Sequence, residues 1–124
     1  MDKDIFWIRF MDIGAKMGCH QRTDRSFYVK NYQFPLCARC TGIALSSICG
    51  YVIFLKKKPQ LSTGVLLTVP MTIDGIMQLA GIKESTNIRR FVTGIMGGTG
   101  LVFIRLHLYR MIIRGIKSCC MQMR

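Results

Sequence analysis

The sequence predicts an all-α protein: a small polytopic membrane bundle of three transmembrane helices, preceded by an amphipathic interfacial helix and a structured Cys/His loop. Three observations lead there. Half of the 124 residues are hydrophobic. The chain nevertheless carries 18 Lys and Arg against 6 Asp and Glu, a net charge of +12. Much of that basic charge gathers at the ends of apolar runs, as in spans flanked by basic loops, rather than along the single exposed stripe of a nucleic-acid interface. The length allows one domain. Membrane lipid, not nucleic acid, is the expected partner.

Residues 5–17 place Ile5, Phe6, Ile8, Met11 and Ile13 among Arg9, Asp12 and Lys16, and loose helical periodicity predicts a short amphipathic helix lying at the interface. The charges within this segment leave no clean apolar core for a cleavable signal peptide, so internal spans are expected to direct insertion. Residues 18–37 are polar but carry Phe27, Tyr28, Tyr32 and Phe34, a structured loop at headgroup depth, where amphipathic rings are favoured.

The first span covers 38–56 and stops at Lys56, Lys57, Lys58 and Pro59. Its uncharged part is roughly 15 residues, about 22 Å at the helical rise and short of a ~30 Å hydrocarbon core; snorkelling of Lys56 closes the gap. The second span, 61–82, contains Pro70, a kink, and Asp74. The third covers 91–108, where Gly94 and Gly98 have the small-xxx-small spacing that lets helix backbones approach. After Ile104 the chain turns amphipathic and basic, so the helix is expected to leave the membrane there and continue along or beyond the surface, with 109–124 as a basic tail. Cys119 and Cys120 fall in its expected frayed end.

Three spans put the loop before the first and the loop between the second and third on one side. Cys19, His20, Cys37 and Cys40 then share a face with residues 83–90. Asp74 and Gln78 lie one to two turns below that face, on one side of their helix. The positive-inside rule favours a cytoplasmic position for Lys56–Lys58 and for Arg110, Arg114 and Lys117, which leaves the motif face outside a multi-pass cell-membrane protein.

Cys37-x-x-Cys40 with Cys19-His20 upstream supplies four soft or borderline ligands of the kind that hold tetrahedral zinc, and about 16 residues between the pairs is an ordinary spacing. Cys40 is followed by Thr41 rather than His, which argues against c-type haem. The same thiols suit a redox pair, with Cys37 at a helix N-terminus beside Arg39, or a structural staple. Asp74 within a span is costly and marks a functional position or an interhelical ion pair with Arg89, Arg90 or Arg39. Arg22, Arg25, Arg39, Arg89 and Arg90 form a set of planar forks suited to phosphate or carboxylate, or to anionic headgroups in general. Gln78, Glu84 and Asn87 lie close by.

The stretches CHQRTDRSF, YQFPLCARCTGI and VPMTIDGIMQLAGIKESTNIRRFVTG together resemble a family of small bacterial and archaeal predicted membrane proteins classed as a domain of unknown function. The likeness runs from about Gly18 to Gly98. Its pattern includes Cys19, His20, Arg25, Ser26, Cys37, Arg39, Cys40, Gly42, Asp74, Gly75, Gln78, Glu84, Asn87, Arg90 and Gly94. The resemblance implies an integral membrane protein and one shared signature, and carries no established activity.

Three functions fit these residues. The first is a metal-dependent enzyme acting on a phosphate-bearing lipid: zinc on Cys19, His20, Cys37 and Cys40, Asp74 or Glu84 as base, and Arg22, Arg25, Arg39, Gln78, Asn87, Arg89 and Arg90 on the substrate. The second is a membrane thiol–disulfide oxidoreductase using Cys37 and Cys40. The third is a non-enzymatic subunit whose metal or disulfide only fixes the loop. So thin a scaffold is expected to complete itself with a second copy or a partner membrane subunit.

Overall fold

The computed structural model describes residues 3–122. A first helix, α1 (Lys3–Lys16), leads through a 3-10 turn (Thr23–Arg25) into strands β1 (Ser26–Val29) and β2 (Tyr32–Cys37). Three long helices follow: α2 (Ala38–Lys57), α3 (Leu61–Leu79) and α4 (Asn87–Gln122). The chain is therefore mainly helical but not all-α, because the expected loop contains an antiparallel hairpin. Lys30 and Asn31 both have positive φ, 48° and 66°, as a two-residue hairpin turn matched to strand twist requires. The register pairs Val29 with Tyr32 and Ser26 with Cys37, with an irregularity between Ser26 and Tyr28.

Polar contacts dock α1 on this hairpin. Trp7 Nε1 donates to the Gln33 carbonyl at 3.0 Å, and the Tyr32 hydroxyl donates to Asp4 at 2.8 Å. Gln21 donates to the Met11 and Pro35 carbonyls, tying the chain after α1 to both elements. β2 runs directly into α2, so the position of the hairpin fixes where α2 begins.

Local chemistry sets the helix ends. Lys58, in a left-handed conformation, closes α2 by donating its N–H to Phe54 at 3.0 Å, and Pro59 follows. α3 stops at Leu79 rather than at 82. Gly81 takes φ +66° and the amides of Gly81 and Ile82 cap the Gln78 and Met77 carbonyls, a Schellman ending. The Thr86 hydroxyl accepts from the Arg89 amide to open α4. Nothing interrupts α4 at the change of polarity, so the described part of the basic tail continues the same helix. Cys119 and Cys120 lie on it and are exposed. At about 1.5 Å per residue its 36 residues reach ~54 Å, well beyond a ~30 Å core.

α2 and α4 run side by side in the same direction: Gly42 faces Phe91 and Gly94, and Gly50 faces Thr99 and Val102. α3 returns against α4, with Gly64 beside Gly100 and Met71 beside Gly97. A Cβ on Gly94 would sit 2.5 Å from the Arg39 carbonyl oxygen, so that backbone cannot give way locally. Gly94→Val is expected to cost about 1–3 kcal/mol and to part the helices at Arg39; chemical unfolding in a mild detergent measures it. At the opposite end Arg110 lies 4.4 Å above the Phe54 ring, and His107 meets the same ring edge-on.

Phe54, Val102 and Phe103 make a small buried cluster, with Leu67 and Leu106 against it. Large apolar side chains face outward instead, among them Leu45, Ile48 and Leu55 on α2 and Leu66, Ile76 and Leu79 on α3. Among the described residues, two helices, α2 and α4, are long and apolar enough to cross a membrane. The expected second span, α3, does not reach that measure, because Pro70, Asp74 and Gln78 dilute its apolar run.

Candidate functional site

The hairpin, the start of α2, the end of α3 and the start of α4 meet at one end of the bundle. The three sulfurs of Cys19, Cys37 and Cys40 lie within 4.8 Å of one another. Cys19 is brought in from the chain after α1, and its Sγ accepts the Cys37 amide hydrogen at 3.2 Å. Cys37 caps α2, and Cys40 stands one turn inside it. His20 is exposed and outside the sulfur group, although it lines the same cavity. The expected four-residue ligand set is thus three thiols held together with an imidazole standing apart.

Cys37 is pulled well below the usual thiol value, to about 5, chiefly because the Cys40 thiol donates a hydrogen bond to it; burial opposes this, and the Cys40 amide, the Cys19 thiol and the Arg39 amide assist. A folded value below the unfolded one means that the thiolate's stabilisation is complete above the unfolded thiol range of about 8.5 and is lost as pH falls through 5. In metal-free protein, the rate of Cys37 alkylation by iodoacetamide should therefore be flat near neutrality and fall by half near pH 5. An ordinary thiol would show its half-point at about pH 8.5.

Beside the sulfurs is a cavity of about 210 Å³ whose walls include Cys37, Cys40, His20, Arg22, Arg25, Arg39, Gln78 and Arg90. It is smaller than typical drug-sized pockets of about 300–1,000 Å³, which suits a headgroup-sized anion. Arg90 is 6 % exposed, and its Nη1 donates to Asn87, which in turn donates to the Ser26 carbonyl. This chain locks α4 to the hairpin and aims Arg90. The Nε atoms of Arg39 and Arg90 are buried without a hydrogen-bond acceptor among the described residues, and Arg25 Nε has only the Asp24 carboxylate nearby, at 3.4 Å. Unsatisfied buried donors are costly, and all three arginines line this cavity.

Asp74, 2 % exposed, underlies the cluster. Arg39 and Gln78 both donate to its Oδ2, and Arg89 meets Oδ1 at 3.1 Å. It therefore ties α2, α3 and α4 together at one point, and both its oxygens are engaged. Arg89 serves this pair and is not among the cavity residues. Glu84 is exposed in the α3–α4 connection and does not line the cavity. Asn87 supports Arg90 rather than lining the space itself. Gln21 was not singled out by composition or spacing. It lines the cavity and pins the Cys19 segment through its side-chain bonds; its signal was adjacency to Cys19-His20.

A family model described as "Predicted membrane protein (DUF2085)" matches residues 19–104, a range that includes every residue named above in the cavity and the thiol group. The chain belongs to this family. A protein of Methanothermobacter thermautotrophicus, named only as uncharacterised, is 37% identical over 100 residues, covering 77% of this chain and 90% of the relative. An uncharacterised protein of Methanocaldococcus jannaschii is 36% identical over 98 residues, covering 73% of this chain and 63% of that protein's length. No solved structure matches the chain. Family and geometry together describe a member of a predicted membrane protein family with a cysteine cluster that could hold a metal ion.

Proposed function

We infer that the protein is a multi-pass cell-membrane enzyme that binds the phosphate of a lipid headgroup between its arginines and holds a zinc ion on Cys19, Cys37 and Cys40. The observation that carries this reading is the shared wall: Cys37, Cys40 and the buried, under-bonded Arg90 line one cavity. Three sulfurs on a tetrahedral zinc stand about 3.8 Å apart at Zn–S distances of about 2.3 Å, and the observed spacing within 4.8 Å needs only small rotations. A zinc tris-thiolate is a net anion, and the surrounding guanidiniums offset that charge. α3 is the third crossing in this reading, its one acid neutralised by Arg39 and Arg89 within the bundle.

Zinc at this place would act as a Lewis acid toward a phosphoryl oxygen or water. Arg22, Arg25, Arg39 and Arg90 bind and orient the phosphate and stabilise charge that develops on it. Asp74, with its oxygens engaged, positions Arg39 instead of accepting a proton, and Glu84 lies outside the cavity. His20 is the titratable side chain placed to pass a proton to a leaving oxygen.

Binding of glycerol 3-phosphate to detergent-solubilised protein tests the anion site by calorimetry. Saturable binding that weakens about tenfold or more in Arg22→Ala is expected, since charge-assisted hydrogen bonds contribute roughly 1.5–3 kcal/mol. Equal binding by the variant would contradict it. The lowered Cys37 thiol with Cys40 as its donor also favours a dithiol redox pair. Conversion to a Cys37–Cys40 disulfide during turnover of cells, read by thiol trapping, would select that reading.

A further inference from the structure

The arginine cavity has a second opening. A neighbouring space of about 410 Å³ shares Arg22, Arg25, Arg39 and Gln78 with it and is completed by Gly75 and Leu79 of α3. Leu79 is 90 % exposed, so the headgroup site opens sideways onto the apolar outer face of the bundle. Gly75 leaves that opening clear: a Cβ there would approach only the Arg39 guanidinium, at 3.9 Å. Further along α3, an apolar groove of about 260 Å³ is lined by Val65, Thr68, Val69, Thr72 and Ile73 together with Ile104 of α4. At 100° per residue, Leu79, Gly75, Thr72, Thr68 and Val65 fall on one stripe of α3. The groove and the opening thus lie on the same stripe of α3. Leu79 and Val65 are 14 residues apart on the helix, roughly 21 Å, more than the ~15 Å of one leaflet of hydrocarbon.

We propose that the ligand is a single long-chain, phosphate-bearing amphiphile that enters laterally at Gly75 and Leu79 and lays its chain along the α3 stripe into the groove beside Ile104. The inference rests on the headgroup reading above and adds the chain. Charge at one end and a mainly apolar groove further along the same stripe select an amphiphile over a water-soluble phosphate. The outer face of α2 offers Leu45, Ile48, Val52 and Leu55 just as openly, but none of these lines the arginine-walled spaces.

The test uses the full chain in vesicles of a phosphate-free galactolipid, doped with lysophosphatidic acid carrying a diazirine at the chain end. Photolysis and peptide mapping should place adducts on α3 between Thr72 and Val65 and on Ile104, about tenfold over the α2 face, a preference worth about 1.4 kcal/mol. Excess glycerol 3-phosphate should disperse them, as should Arg22→Ala, an exposed position that the fold tolerates. Thr72→Trp should shift adducts off the groove, and Val52→Trp on α2 should not. Adducts spread evenly over α2 and α3, with glycerol 3-phosphate still bound, would overturn the chain track and leave the headgroup site standing. Even adducts with no glycerol 3-phosphate binding would overturn both.

Discussion

Asp74→Ala is expected to destabilise the bundle by roughly 3 kcal/mol, near the lower end for breaking a buried ion pair. The carboxylate is buried, but Arg39 and Arg89 keep 26% and 43% of their side-chain surface exposed, so solvent relieves part of the uncompensated charge. Three helices lose their common tie at once, because Arg39 comes from α2, Gln78 from α3 and Arg89 from α4. Asp74→Asn keeps the shape and one acceptor and should lose less, about 1–2 kcal/mol. Denaturant unfolding in a neutral detergent measures both. Freed from Asp74, Arg39 also loses its aim into the cavity, so glycerol 3-phosphate binding should weaken in both variants, including the better-folded Asn one. Full stability in Asp74→Ala would show that the pair does not hold the bundle together.

Cys37→Ser is the second large effect. Removing one of three sulfurs should lower zinc affinity by more than the ~100-fold reached when a mere supporting group is lost, and purified variant should carry almost no metal. Because β2 passes into α2 at Cys37 and Cys19 is bonded to the Cys37 amide, metal loss should also loosen the hairpin. Faster amide exchange in 19–37, with α2–α4 contacts unchanged, is the expected signature. His20→Ala should retain the metal, since His20 stands outside the three sulfurs. Metal content measured on the two variants separates ligand from bystander.

The helices were legible because their signals are local. Lys56–Lys58 with Pro59 end one apolar run, and the loss of apolar residues ends the next. The end of α3 lies three residues before the expected 82, because hydropathy continues through Ile82 while Gly81 in the left-handed region ends the hydrogen bonding. The hairpin was hidden for a different reason: its strands are short, and the turn uses Lys30-Asn31 in place of Asn-Gly, so neither alternation nor turn chemistry stood out. The continuation of α4 past Ile104 was legible as well, because a change from apolar to basic residues alters the solvent a helix prefers, not its backbone.

The candidate site was legible in its thiols and in its arginines, since topology alone gathers both at one end. Arg39 was among the partners expected for Asp74. What spacing could not supply was direction. Glu84 and Asn87 are three residues apart in the sequence, yet one faces solvent and the other props Arg90. Arg89 and Arg90 are adjacent, yet a helix turns them about 100° apart, one toward Asp74 and one into the cavity.

The proposed function requires a metal with an open coordination position beside the arginines. X-ray absorption at the zinc edge of protein purified without chelator, with and without glycerol 3-phosphate, measures this. The predicted spectrum is one zinc per chain with three sulfurs at about 2.3 Å and one oxygen or nitrogen neighbour, the light-atom shell changing when the phosphate is added. Zinc absent, or a closed shell that is indifferent to phosphate, would contradict it.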